Sequence, residues 1–315
     1  MLGRNANVFI VIVTYNAMKW VKRCLDSVLQ SSLKAKVIIV DNVSTDGTVE
    51  YVKKNHPDFV LLEQKKNGGF GAGNNLGIKY ALFHGADYIY LLNQDAWFES
   101  NTLKILCEIM DNNPQYGLLS PLQITATMNN VDRNVLRFMT DDKNKAKQLL
   151  SGILTNQNCK IYDVEFFPAA HWLLRAETLK KTGFFSDVFL HYGEDVNLYQ
   201  RILYNGFKCG MVLSTKGIHD RQYRIMKLED KIFSYYNLIL SKTCNPNMPY
   251  VYNLCFLLLY TLGIPFYLIY MYIVGLCGTK IKEYYYYIAS PIKILQSLRK
   301  FKNTKVCFIK DNQSV

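Results

Sequence analysis

Four short apolar runs in the first hundred residues, each stopping at a polar motif, constrain this chain more than any other feature. Residues 8–13 (VFIVIV) are unbroken and largely β-branched, the pattern of a strand buried on both faces. Residues 37–40, 60–63 and 88–92 are further runs of this kind. Between the runs the apolar positions switch to helical spacing. Trp20, Val21, Leu25, Val28 and Leu29 share one side of a helix over about 18–31, and further helices are expected over 48–55 and 76–84. Strand and helix in alternation predict an α/β fold with a Rossmann-like, mostly parallel sheet flanked by helices. Polar motifs at the strand C-termini would then line the crevice where such sheets take their ligands.

Length and charge narrow the class. At 315 residues there is room for one large α/β domain and an appendage. The formal net charge of +12 calls for an anionic partner: nucleic acid, anionic lipid or a phosphorylated substrate. Eight cysteines without a C-x-x-C pair fit reduced thiols in a cytosolic setting better than a disulfide framework or a zinc site. The first apolar run breaks at Thr14, too short for the core of a signal peptide. Residues 69–73 (GFGAG) have the glycine density of a dinucleotide-binding turn, but with the wrong spacing and after the third strand rather than the first. Residues 125–159 are polar and read as an insertion or mobile loop with no assignable chemistry.

Five motifs follow one another along the chain. They are Val13-Thr14-Tyr15-Asn16, Asp41-Asn42-x-Ser44-x-Asp46-Gly47-Thr48, Asn67-x-Gly69-Phe70-x-x-Gly73-Asn74-x-x-Gly77, Asn93-Gln94-Asp95 and Tyr192-Gly193-Glu194-Asp195-Val196. In this order they resemble the family 2 glycosyltransferases of the GT-A fold. The likeness is to bacterial enzymes that build surface polysaccharides in particular, including the rhamnosyltransferase-like branch, and it covers about Val8 to Arg221.

The resemblance implies transfer of one sugar from a nucleotide-sugar donor, with inversion, to a hydroxyl of a lipid-linked or polysaccharide acceptor. It assigns Thr14, Asn16, Asp41 and Asp46 to the nucleotide end, with Asp41 on the base, and places Asn67, Gly69, Gly73, Asn74 and Asn93 along the nucleotide-sugar site. Asp95 stands for the last carboxylate of a D-x-D motif whose first position here is Asn93. It would hold Mg²⁺ or Mn²⁺ on the donor diphosphate, and His219 would complete that metal site. Asp195 becomes the general base, with Glu194 orienting the acceptor or a neighbouring group. Arg221 and Arg224 could meet phosphates, and His171 and Trp172 fall on the acceptor-side segment. Plainer roles compete at several positions. Asp46 and Asp95 can serve as helix caps, the 194–195 pair suits a helix N-terminus, and Trp172 suits a core.

From residue 250 to 278 the chain runs 29 residues without a charge, long enough to span a membrane. Gly263-Ile264-Pro265 interrupts this run, and the tail beyond it is basic. A re-entrant or interfacial hairpin fits better than a single crossing, because catalytic domain and tail then share the cytoplasmic side and the tail meets anionic lipid. The alternative is burial in a homodimer interface. The expected organisation is a catalytic domain over 1–225 and a helical membrane-associating region over 226–315, on the cytoplasmic face of a bacterial inner membrane. The basic excess sits beside the apolar run rather than among aromatic-bearing strands, which disfavours nucleic acid as the partner. The competing function is a catalytically silent GT-A-like protein that binds nucleotide or glycan and scaffolds a membrane assembly.

Overall fold

The computed structural model describes residues 6–155, 161–189, 192–221, 237, 239–249, 251–256 and 258–259. Its first part follows the apolar pattern: β1 (Val8–Thr14), α1 (Val21–Leu29), β2 (Lys36–Asp41), α2 (Thr48–Asn55), β3 (Val60–Glu63), α3 (Gly69–Phe83) and β4 (Tyr88–Asn93). Next come β5 (Ala96–Phe98), α4 (Thr102–Asn112), β6 (Tyr116–Thr125), α5 (Arg133–Thr140) and α6 (Lys143–Leu154). After these stand β7 (His171–Arg175), α7 (Ala176–Thr182), α8 (Glu194–Tyr204) and β8 (Lys208–His219). One sheet holds the strands in the order β3-β2-β1-β4-β7-β6-β8-β5. β3, β2, β1 and β4 pair in parallel, as do β6 and β8, while β7 and β5 join antiparallel.

The unbroken apolar run of β1 is explained by helices on both faces. Ile10 and Ile12 share a core with Val21, Leu25 and Val28 of α1 and with Leu103, Leu106 and Met110 of α4. Phe9 and Val11, one residue out of phase, share a second core with Ile78 and Ala81 of α3 and with Leu198 and Ile202 of α8 on the other side. Each such side chain contributes about 1.5–3 kcal/mol on burial.

Three sequence expectations change. The glycine-rich stretch is the opening of α3 rather than a turn before a helix at residue 76. Asn67 Oδ1 accepts the Gly69 N–H at its entry, 2.9 Å. Gly73 and Gly77 then press α3 onto β1, where a Cβ would come within 2.7 Å of the Val13 side chain and 2.3 Å of Val11. Residues 125–159 hold α5 and α6 rather than only a mobile loop. Asp132 starts α5 by accepting the Asn134 and Val135 N–H groups at 2.8 and 3.3 Å. Finally, β8 continues past Leu213 to His219 because it pairs with β6 and then β5. The four buried cysteines Cys24, Cys107, Cys209 and Cys244 and the exposed Cys255 are unpaired. Most of the apolar run from 250 and the whole basic tail lie outside the described residues. Among the described residues no helix is long and apolar enough to cross a membrane.

Candidate active site

Parallel register brings the first motifs together. Thr14 stands opposite Asp41, and Val13 opposite Asn93, so the ends of β1, β2 and β4 form one edge. The Asp41 carboxylate is buried and accepts the Thr14 hydroxyl at 2.8 Å, the Ser44 hydroxyl at 2.5 Å and the Ser44 N–H at 2.8 Å. Two acceptor sites on Oδ1 and one on Oδ2 are thereby used, leaving one on Oδ2 for a ligand N–H. Asn16, in a left-handed conformation at φ +49°, donates its N–H to Ser44 Oγ and accepts the Thr45 N–H on Oδ1, 2.9 and 2.8 Å. Asp46 takes the Met18 N–H at 2.9 Å and the Thr48 N–H at 3.1 Å. Partial burial acts to raise the Asp46 pKa, and the hydrogen bonds from Thr48 and Met18 outweigh it, holding the carboxyl below its ordinary value. The loops after β1 and β2 are thus laced into one unit.

Two clamps in this region escape sequence reasoning. Gln94 holds the Tyr15 backbone from both sides, accepting its N–H at 2.7 Å and donating to its carbonyl at 3.2 Å. Tyr15 itself is 49% exposed, and Met18 and Val43 on the same loops are each 40% exposed, giving an apolar fringe around the Asp41 pocket. Asn75 makes the same kind of double bond to the Phe185 backbone, 2.8 and 2.9 Å, tying α3 to the segment before α8. Both residues lie inside the motifs, yet nothing in a sequence tells a backbone clamp from a ligand contact. Asn74 is buried and donates to the Phe70 carbonyl at 2.9 Å, so it serves α3 itself. Asn42 donates to the Gly69 carbonyl at 3.1 Å and fixes the entry of α3 to the end of β2.

The second group forms where β5 pairs with β8. Ala96 stands opposite His219, which sets Asp95 Oδ1 3.4 Å from His219 Nε2. Burial works to raise the Asp95 pKa, and His219 and Arg221 overcome it, keeping the carboxyl below its usual range. His219 is buried, and its other nitrogen, Nδ1, has no hydrogen-bond partner among the described residues. Asp220 locks this corner by donating its N–H to the Asp95 carbonyl and accepting the Trp20 indole N–H, each at 2.8 Å. His171 and Trp172, expected as acceptor contacts or core, are both core with no exposed surface. His171 Nδ1 pairs with the Tyr90 hydroxyl at 2.8 Å and Nε2 with the Ile218 carbonyl at 3.1 Å, and burial pushes its pKa down to about 3. It is a neutral strut beneath His219.

The third group is the acidic pair at the start of α8. Tyr192 and Gly193 are both left-handed, φ +65° and +92°, turning the chain sharply into the helix. Glu194 is buried against Gly71 of α3, and its Oε2 has no partner among the described residues. Burial and the neighbouring Asp195 push the Glu194 pKa up; burial likewise raises Asp195. The Arg221 charge acts to lower the pKa of both Asp195 and Asp95. A cavity of about 490 Å³ on α8, lined by Tyr199, Gln200 and residues 163–166, contains none of these groups.

A sequence model of Glycosyl transferase family 2 matches residues 9–183. The chain belongs to that family. The matched stretch carries the Thr14–Asp41 pocket and the Asn93–Asp95 turn and stops before Glu194, Asp195 and His219. An uncharacterized glycosyltransferase of Rickettsia bellii is 32% identical over 112 residues, covering 35% of this chain and 16% of that protein. The chain therefore spans only a small part of that relative's length. Two solved structures share the fold. The mannosyltransferase PcManGT of Pyrobaculum calidifontis, in complex with GDP-Man and Mn²⁺, superposes with a TM-score of 0.58 at 15% identity, covering 95% of this chain and 88% of that one. Residues 1–349 of S. aureus TarS, in complex with UDP-GlcNAc, give 0.56 at 14% identity, covering 94% and 90%. At such identity these two neighbours show a GT-A-like α/β fold and nothing finer.

Proposed function

We propose that this protein is an inverting glycosyltransferase that moves one sugar from a nucleotide-sugar to a hydroxyl of a lipid-linked or polysaccharide acceptor in surface glycan synthesis. The observation that carries this reading is the set formed by the buried Asp41 pocket, the Asp95–His219 pair and the Glu194–Asp195 pair, the last packed on Gly71 of α3, whose entry Asn42 ties to the end of β2. The remaining Oδ2 acceptor site of Asp41 suits a base N–H, and the apolar fringe of Tyr15, Met18 and Val43 suits the face of a base.

The donor set at the corner fits a divalent cation. Octahedral Mg²⁺ keeps its oxygens at about 2.0–2.1 Å, so adjacent donors lie about 3 Å apart, near the 3.4 Å between Asp95 Oδ1 and His219 Nε2. Among the described residues no three His, Cys, Asp or Glu side chains form a closed cage. Diphosphate oxygens and water would complete the shell. When bound, Mg²⁺ or Mn²⁺ supplies Lewis-acid stabilisation of the leaving diphosphate.

Asp195 takes the proton of the acceptor hydroxyl while that oxygen attacks the anomeric carbon and the bond to the diphosphate breaks. Burial holds its proton affinity up, which suits a base, and the Arg221 charge keeps a carboxylate there tolerable. Glu194, buried beside Asp195, orients the acceptor or a neighbouring group. The apolar run from 250 and the basic tail would dock the enzyme on anionic lipid at the cytoplasmic face of the inner membrane.

The test is thermal-shift or calorimetric binding against a panel of nucleotide-sugars, with Mn²⁺ and with EDTA. Metal-dependent stabilisation by one donor supports the class and identifies that donor. No response from any donor in folded protein overturns it in favour of a silent scaffold.

A further inference from the structure

Asp132 lies in the stretch to which the sequence assigned no chemistry, yet it is 1% exposed and sits directly behind His219. Its two oxygens have different work. Oδ1 caps α5 through the Asn134 and Val135 N–H groups. Oδ2 faces His219 Nδ1 at 3.9 Å and Arg221 Nε at 3.4 Å. Neither of those nitrogens has a hydrogen-bond partner among the described residues. Capping alone does not account for this residue: Asn or Ser would cap α5 as well, without burying a charge at a cost of several kcal/mol.

The order of groups is Asp95, His219, Asp132, with Asp95 on Nε2 and Asp132 on Nδ1. A metal-binding histidine almost always gives its second ring N–H to a carboxylate or carbonyl, which fixes the tautomer and aims the ligating lone pair. We infer that Asp132 is a positioning residue that receives the His219 Nδ1–H and turns Nε2 toward a divalent cation shared with Asp95. A closing of about 1 Å brings Nδ1 and Oδ2 into hydrogen-bond range. Arg221 Nε approaches Oδ2 from the other side at 3.4 Å. This inference rests on the metal reading of Asp95 and His219 given above.

The experiment measures Mn²⁺ affinity of the full chain with UDP, GDP or dTDP present, by electron paramagnetic resonance of free Mn²⁺. Wild type, Asp132→Asn, Asp132→Ser, His219→Ala and the Asp132→Asn/His219→Ala double variant are compared, each with a melting curve. Asn and Ser preserve the cap, so both single variants should melt near wild type. They should bind Mn²⁺ about 10–100-fold more weakly, and Asp132→Asn should add no further loss once His219 is gone. Mn²⁺ affinity within twofold of wild type in either folded variant overturns the role of Asp132 and leaves the metal reading standing. Wild type that binds no Mn²⁺ with any of the three nucleotides overturns both.

Discussion

Around Asp41 the polar groups are satisfied by one another: Thr14, Ser44, Asn16, Asp46 and Thr48 exchange hydrogen bonds between the first two loops. Around His219 and Glu194 they are not. His219 Nδ1, Arg221 Nε and Glu194 Oε2 are buried without partners among the described residues. Buried polar groups are normally paired, and each exception asks for an explanation. The first region is finished by folding and presents a preformed socket. In the second region His219 Nδ1 and Arg221 Nε stand 3.9 and 3.4 Å from Asp132 Oδ2 without closing a hydrogen bond, and under the reading proposed above Glu194 Oε2 is left for a ligand.

If that contrast is right, substitutions in the second region should change chemistry more than stability, and those in the first the reverse. The largest effect is expected for Asp195→Asn, which should lower transfer about 10²–10⁴-fold while donor binding stays near wild type in calorimetry. Turnover close to wild type would remove Asp195 as the base. On the satisfied side, Gly77→Ala drives a methyl to within 2.3 Å of the Val11 side chain on a buried strand. Overpacking of this kind costs about 1–3 kcal/mol, readable as a lower urea midpoint. An unchanged midpoint would show that α3 can move off β1. Asp46→Ala should cost about 1 kcal/mol through the lost bonds to the start of α2, again in chemical denaturation.

The smallest effect sharpens the contrast through pH. The Glu194 pKa is raised in the folded state, so between its ordinary value of 4.5 and the folded one the native protein holds more protons than the unfolded chain. Stability contributed by this group is therefore full at low pH and falls as pH rises through that window. Glu194→Gln should flatten the melting temperature across it. Asp46 has the opposite sign: its lowered pKa favours the fold above the ordinary value and the gain is lost as pH falls. A slope unchanged by Glu194→Gln would mean that Glu194 is not held protonated.

The strands β1 to β4 were legible because burial on both faces writes itself as an unbroken apolar run. Asp41, Asp95, Glu194 and Asp195 were legible as motif members; strand register sets Asp41 beside the ends of β1 and β4 and brings Asp95 to His219. What stayed hidden depended on contacts across the chain. The α3 entry looked like a turn because its glycines answer to Val11 and Val13, some sixty residues earlier. α5 looked like a loop because its apolar side is short, with Val135 and Met139 as the buried positions of an eight-residue helix. Asp132 stood in no motif, and Gln94 stood in one that did not disclose its role, since a cap or clamp is defined by the backbone it reaches. The membrane-associating region rests on composition alone.

The pairing of β5 with β8 joins Asp95 to His219 across more than a hundred residues of intervening chain. β1 to β4, by contrast, connect through single helices, with β1–β2 and β2–β3 as direct neighbours and α3 carrying the chain from β3 back across the sheet to β4 beside β1. On the ribosome the nucleotide socket can therefore assemble while the remainder is still being made, domains generally folding N-terminal part first. The cation corner must wait for residue 219 to emerge and for a long loop to close, a slow and entropically costly step. A nascent or truncated chain would hold the socket proposed for the nucleotide before it held the corner proposed for the cation.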